Sequence, residues 1–553
     1  MDQPMISVSQ WGLRSAAALL LSCFLWFTAL PANSQQVLTY HNNNARTGLN
    51  SRETILTPAN VNSASFGKLF TISVDGQVDA EPLYISSVPI SGSGNHNLII
   101  VATEHGTLYA FDADTGARIW RVTTLKSGEK TSDDRGCSQV TPEIGITSTP
   151  VIDRPAGSNG VIYAIGMSKD SSGNYHQRLH AIDAATGRKL HGGPVEIQAK
   201  YPGNGDTSSG GYVIFDPGQY KERAGLLLLN NTVYTAWASH CDFRPYTGWI
   251  MGYDASTLAQ TTVLNVTPNG NEGAIWGSGA AMAADGNGNI FLLDANGDFD
   301  TNLNSAGFPR DGDFGNAFLK LSTQGGLAVA DYFEMDDEQP GNNSDTDLGS
   351  GGALLLPPMK DSSGKSWQLA AGAGKDSNLY IVDRNSMGKF NPLSNNIYQE
   401  LLGVLPGGIW SMPAFFAGKL YFGPVGQTIL AFQFKNAQLL PAPVAQTRNS
   451  FAYPGATPSI SANNGQNGIV WASANTNPAV LYAYSANNLQ QLYNSNQAPS
   501  GRDHFGAGNK FITPMIANGK AYVGTTNGVG VFGLLSAPSG GAPRGASQIS
   551  SGR

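Results

Sequence analysis

The stretch LYAFDADTGARIW, from Leu108 to Trp120, returns as LHAIDAATGRKL from Leu179 to Leu190. Fainter copies follow: IMGYDASTLA from Ile250, LYIVDRNSMG from Leu379, ILAFQFKNAQ from Ile429 and LYAYSANNLQ from Leu481. In each, alternating apolar residues run into a turn rich in Asp, Asn, Ser, Thr or Gly. Repetition every few dozen residues means one small supersecondary unit stacked many times. The period of two, with turn formers between runs, makes that unit a set of antiparallel strands. Gly supplies 67 of the 553 residues and charged residues only 13%, which suits short strands joined by tight turns.

Cutting the chain at the recurring motifs gives eight units between about Phe66 and Leu534. Their first strands begin at Glu81, Ser148, Gly225, Gly277, Gly349, Ser411, Thr457 and Thr513. The last unit has three evident strands, at 512–516, 520–525 and 529–534, and lacks a fourth. The segment Leu69 to Val74 precedes the first complete unit and has no place in it. Adding it to the outside of the last unit removes a free sheet edge. The expectation is an all-β, eight-bladed β-propeller of four-stranded antiparallel blades spanning 66–535. A seven-bladed ring is the competitor, because the copies between 400 and 500 are degenerate.

Residues 1–34 read as an export signal: Arg14, an apolar run from Ala16 to Leu30, and small residues at Ala32-Asn33-Ser34. Residues 35–65 form a lead-in, in which Thr57-Pro58-Ala59-Asn60-Val61 predicts a short helix with Pro at its first position. Residues 536–553 are Ser-, Gly- and Pro-rich and read as a disordered tail. Export would place the chain in the periplasm or outside the cell, with no membrane-spanning segment left in the mature protein. A net charge of −7 without any basic block excludes an electrostatic grip on nucleic acid. Cleavage would leave two cysteines, Cys137 and Cys241. In an oxidising exterior an isolated pair is expected to be bridged, with two separate thiols as the alternative.

The LYAFDADTG and LHAIDAATG copies resemble the repeat of the pyrroloquinoline quinone (PQQ) dehydrogenases, which are eight-bladed propellers. GITSTPVID, from Gly145 to Asp153, and the lead-in from Tyr40 to Leu69 resemble them too. The resemblance implies PQQ held over Ca²⁺ on the propeller axis, with an Asn and carboxylates as hard oxygen ligands. It makes Asn296, in FLLDANGD, the counterpart of the family's Asn. Asp345 and Asp347 match its Asp-x-Asp run and would supply the catalytic base. Lys375, in GAGKDSNLY, would lie near the quinone, and Trp276, Trp410 or Trp237 would form an aromatic floor. Two departures stand against this. Met167, Ser168 and Lys169 occupy the place of the family's Glu ligand, and there is no vicinal Cys-Cys pair.

Asp294, Asn296, Asp298 and Asp300 alternate as D-x-N-x-D-x-D, with Asp311 and Asp313 following. Such a set offers Ca²⁺ its usual oxygens. The alternative is turn chemistry, with Asp and Asn side chains bonding their own backbone. Asp503-His504 is expected near His41 and Arg46, as a rim site or a ring-closing ion pair. Ser278, Ser350 and Thr513, with Trp276, Asp347 and Trp410, are expected to line an axial funnel. The reading placed first is a monomeric binding or scaffold protein for a protein or glycan partner. The alternative is a divergent quinoprotein dehydrogenase acting on an alcohol or sugar with PQQ and Ca²⁺.

Overall fold

The computed structural model describes residues 35–337, 341 and 343–535; the expected export signal and C-terminal tail lie outside the described residues. Its regular structure is strand, broken by three-residue 3₁₀ turns at Gly277–Gly279, Leu348–Ser350 and Pro499–Gly501. Among the described residues, eight antiparallel sheets with a four-strand core follow one another along the chain. Their first strands are Leu83–Ile90, Val151–Asp153, Leu227–Leu229, Ala283–Ala284, Leu354–Leu355, Ala414–Phe416, Ser459–Asn463 and Met515–Ala517. In seven of them the strands pair in sequence order. The eighth takes its fourth strand from the far end of the chain: Phe66–Ser73 pairs antiparallel with Gly528–Leu534.

The recurring Asp of the repeat has a structural duty. Asp112 Oδ1 accepts the backbone N–H of Asp114 and Thr115 and the Thr115 hydroxyl. Asp183 does the same with Ala185 and Thr186, and Asp254 with Ser256 and Thr257. Each carboxylate thereby closes an Asx turn between the third and fourth strands. Where the Asp is lost, in LYAYSANNLQ, Ser485 Oγ accepts the Asn487 N–H instead.

The residue after that Asp receives a second recurring bond, from the neighbouring sheet. Trp120 Nε1 donates to the Ala184 carbonyl at 2.8 Å, Tyr163 Oη to Ala255 at 2.7 Å and Tyr421 Oη to Ala486 at 2.6 Å. In the same way Tyr522 of the eighth sheet donates to Ala113 of the first at 3.3 Å. Buried aromatics therefore tie sheet faces together while their polar atoms stay satisfied.

The lead-in runs along the first strands. His41 and Arg46 are fully buried in it. Arg46 donates to the carbonyls of Met282 and Tyr40 and to Thr39 Oγ1, and His41 N–H donates to Glu81 Oε2 at 2.8 Å. Gly48 has φ of +67°, and a Cβ there would lie 2.5 Å from the His41 ring, so only glycine fits. The helix expected after Thr57 is instead a pair of turns. Asn60 Oδ1 accepts the Thr57 N–H, and Asn62 Oδ1 accepts those of Ala64 and Ser65. Amide side chains here outbid the helical ladder for the backbone.

Removing a buried charge that is tied to several elements leaves its partners unpaired. Arg46→Ala is expected to lower unfolding free energy by about 3 kcal/mol or more. Leu393→Ala, at a residue 88% exposed, should change it by less than about 0.5 kcal/mol. Urea unfolding followed by intrinsic fluorescence measures both.

Candidate functional site

A cavity of about 470 Å³ gathers residues from the connections between the sheets. Asn296, Asp345, Asp347 and Lys375 line it together with Trp276 and Trp410. Asn296 follows the strand Asn289–Leu293, where the backbone crosses at close range. A Cβ on Gly297 would lie 2.5 Å from Gly273 N, and one on Gly315 would lie 2.2 Å from Gly297 C. The Asn-Gly step thus fixes where the Asn296 amide points. Asp345 is held with φ of 53°, and Asp347 heads the Leu348–Ser350 turn. Lys375 is anchored by its own N–H, which donates to the Asp347 carbonyl at 3.0 Å.

These side chains form one charged corner. Lys375 Nζ lies 2.5 Å from an oxygen of Asp345 and 2.5 Å from one of Asp347. Asn296 Nδ2 donates to Asp345 Oδ1 at 2.9 Å, and Trp276 Nε1 donates to Asp347 Oδ2 at 3.1 Å. Asn296 Oδ1 is shielded from water and has no hydrogen-bond partner. Burial pushes the Asp347 carboxyl up to about 6, against the pull of the Lys375 charge. Burial also works against the Lys375 ammonium, but the two carboxylates outweigh it and hold its pKa above the ordinary lysine value.

The walls are aromatic and cationic. Trp276 meets Phe511 edge-on at 6.2 Å; Tyr453 lies 6.2 Å from both Trp410 and Phe511. The Arg223 guanidinium stacks over Phe511 at 4.7 Å, and Lys221 lies in the same wall. Cys137 and Cys241 are disulfide-bonded, as expected, and the bridge also lines the cavity. Sequence reasoning missed Lys221, Arg223, Tyr453 and Phe511. The one available signal was the charged run Lys221-Glu222-Arg223 directly before an apolar strand.

Other expected site residues lie elsewhere. Asp294 is buried and accepts the Ala317 N–H, and burial pushes its carboxyl well above the usual range. Asp298 accepts both N–H groups of Asn271, and Asp300 accepts those of Asn302 and Asp311. These carboxylates serve the loop backbone. Among the described residues, no group of three His, Cys, Asp or Glu side chains is arranged to hold a metal ion.

Trp237 is in the core, donating to Gln177. Ser278, Ser350 and Thr513 are buried and bond to Ser350 O, Ile409 O and Tyr40 Oη, outside the lining. Asp503 does not meet Arg46: it pairs with Arg502 and accepts the Lys68 N–H and Tyr493 hydroxyl. Arg46 is instead engaged through Nε and Nη1 by the carbonyls of Met282 and Tyr40 and by Thr39 Oγ1, and Asp503 serves the strand that completes the eighth sheet. In place of the family's Glu, Met167 packs with Val140 and Ile144, Ser168 bonds Glu129, and Lys169 pairs with Asp133.

No protein-family model matches the chain, and no curated protein does. Solved structures do. The quinohemoprotein alcohol dehydrogenase of Comamonas testosteroni superposes with a TM-score of 0.61 at 15% identity, over 92% of this chain and 82% of that one. A quinohemoprotein alcohol dehydrogenase from Pseudomonas putida HK5 gives 0.60 at 13% identity over the same shares. A europium-containing methanol dehydrogenase gives 0.57 at 12% identity, over 90% of this chain and 98% of that one. The fold is therefore the β-propeller of the quinoprotein dehydrogenases. Among the described residues, no helix is long and apolar enough to cross a membrane.

Because Trp276 donates to the carboxyl whose pKa is pushed up to about 6, its emission should report that proton. A pH titration of tryptophan fluorescence is expected to show a step near pH 6. The step should vanish in both Trp276→Phe and Asp347→Asn; its survival in either variant would detach the two groups.

Proposed function

We propose that this chain is an exported eight-bladed propeller, closed by Phe66–Ser73, that acts as a divergent quinoprotein dehydrogenase on an alcohol or sugar. The observation that carries the reading is the meeting of Asn296, Asp345, Asp347 and Lys375 with Trp276 and Trp410 in one cavity. A volume of about 470 Å³ lies in the ordinary range for a small cofactor. Aromatic walls and cations suit a planar, anionic quinone such as PQQ. The disulfide supports an oxidising compartment.

The residues fit the quinone better than a metal. Asn296 Oδ1, with no partner, and the two carboxylates offer hard oxygens at one corner. However, among the described residues no third carboxylate is arranged with them, and the Lys375 ammonium already lies against both. Ca²⁺ takes six to eight oxygens, so no catalytic step is assigned to a metal here.

PQQ, when bound, would supply the acceptor for an electron pair. The chain's own groups would do the rest. Asp347 takes the proton of the substrate hydroxyl, its pKa of about 6 placing it near the working range of a general base. Trp276 and Lys375 hold that carboxylate in place. Lys375 also sets a positive charge beside the reacting corner, where negative charge develops. The Asn296 carbonyl oxygen has no hydrogen-bond partner of its own beside this carboxylate pair.

Reconstitution with PQQ, with and without Ca²⁺ or a lanthanide, tests this. Quinone absorbance should stay with the protein through gel filtration, and a dye-linked assay should detect oxidation of a primary alcohol or aldose. Asp347→Asn should lower kcat about 100-fold or more. For the wild type, kcat/KM should fall as pH drops below about 6, where Asp347 is protonated. Absence of quinone uptake would overturn the proposal and leave a binding or scaffold role for a protein or glycan partner.

A further inference from the structure

Lys221 is only 6% exposed and lines the cavity, yet its ammonium has no hydrogen-bond or ion-pair partner among the described residues. It sits on the two-residue strand Tyr220–Lys221, paired with Ala238–Ser239. The acids in reach are spoken for. Asp79 accepts from Arg223 at 3.5 Å, Asn509 at 2.9 Å and Gln77 at 2.8 Å. Glu104 is buried and accepts from Gly145 N and Thr147 Oγ1, and burial holds its carboxyl well above the usual range. Asp242 accepts from Ser239 and Tyr246. Asp345 and Asp347 belong to Lys375.

A nearly buried ammonium that faces a cavity without a counter-ion is poorly hydrated and poorly screened. Proteins hold such a group where a ligand supplies the missing charge. We propose that Lys221 is the anchor for a carboxylate of the cavity's ligand, forming a positive pole distinct from the Lys375 corner. The ligand is then a flat aromatic acid, with its ring against Phe511, Trp276 and Trp410 and a carboxylate on Lys221. Burial, helped by the charge of Arg223, lowers the Lys221 pKa to about 8, which still leaves it charged at neutral pH. A salt bridge with a bound carboxylate would relieve that strain with a charge-assisted bond. The proposal deepens the quinone reading by naming what the cofactor must present, and its test separates the two.

Isothermal titration of PQQ, PQQ trimethyl ester and benzene-1,3,5-tricarboxylate into wild type, Lys221→Met and Lys221→Arg is the experiment. Wild type should bind PQQ roughly tenfold or more tighter than the ester, and Lys221→Met should erase that difference while Lys221→Arg restores it. Ligand-free Lys221→Met should melt at or above the wild-type temperature, because it sheds an unpaired buried charge. PQQ binding that is equal in wild type and Lys221→Met would overturn the anchor and leave the quinone reading in place. Lys221-dependent binding of the tricarboxylate without PQQ binding would do the reverse. Absence of all binding, or a melting temperature lowered in Lys221→Met, would sink the anchor.

Discussion

The innermost strand of a sheet carries a row of unpaired backbone groups, and in this protein the lead-in covers that row for all eight sheets. Val37 pairs with Tyr84, Leu38 O accepts from Ile152, and Asn44 Nδ2 donates to Leu228 O. The carbonyls of Asn44, Ala45, Thr47 and Gly48 accept from Ala284, Leu355, Phe415 and Ile460 in turn. Asn50 Nδ2 completes the series at Ile516 O. About a dozen residues thus touch one strand from each sheet. Open edges invite pairing with other chains, and buried unpaired backbone groups are costly. Satisfying them from one continuous segment also fixes the order and spacing of the sheets. Arg46, buried where this segment bends, holds both its own carbonyls and that of Met282.

The cavity inherits its precision from that order. Trp276 lies between the third and fourth sheets, Asp345 and Asp347 between the fourth and fifth, Trp410 between the fifth and sixth. Tyr453 and Phe511 come from the next two connections, and the Cys137–Cys241 bridge joins the first connection to the third sheet. No single sheet owns the site. A shift of one sheet by a residue would reverse its faces and would separate Lys375 from Asp347. The aromatic tethers between neighbouring sheets, from Trp120 to Tyr522, resist such a slip.

Much of this was legible in the sequence, because alternation and Asp-centred turns are local signals. An accounting argument, a missing fourth strand, assigns the segment 69–74 to the last sheet; the strand found there runs Phe66–Ser73 and pairs with Gly528–Leu534. The Asn296, Asp345, Asp347 and Lys375 cluster is legible only through family resemblance, since those residues are spread from 296 to 375 over three irregular connections. The helix after Thr57 failed because Asn60 and Asn62 compete for the backbone, a contest that propensity does not decide. Arg46 and Asp503 failed as a pair because carbonyl oxygens, which leave no mark in a sequence, already serve the arginine. Lys221 carries no periodic or motif signal: its meaning lies in the partners it lacks, which three-dimensional packing alone reveals.

The charge arithmetic of the Lys375 corner bears on how such a site would work. Asp345 is 69% exposed at the side chain, so water screens its charge, while Asp347 is 1% exposed and is screened far less. One ammonium and one buried carboxylate therefore form the invariant part, close to neutral, and Asp345 modulates it from the mouth. A divalent ion placed there would face the Lys375 charge at short range in a medium that screens poorly. Displacing that ammonium would leave a second buried cation to match Lys221. An arrangement in which lysines meet the ligand's anions, and Lys375 polarises the acceptor, leaves fewer charges unpaired. On the quinone reading, the lost Glu position and the bidentate grip of Lys375 are then two sides of one change. A positive charge supplied by the chain stands at the corner where a hard cation would need a further oxygen donor, and none is arranged there among the described residues.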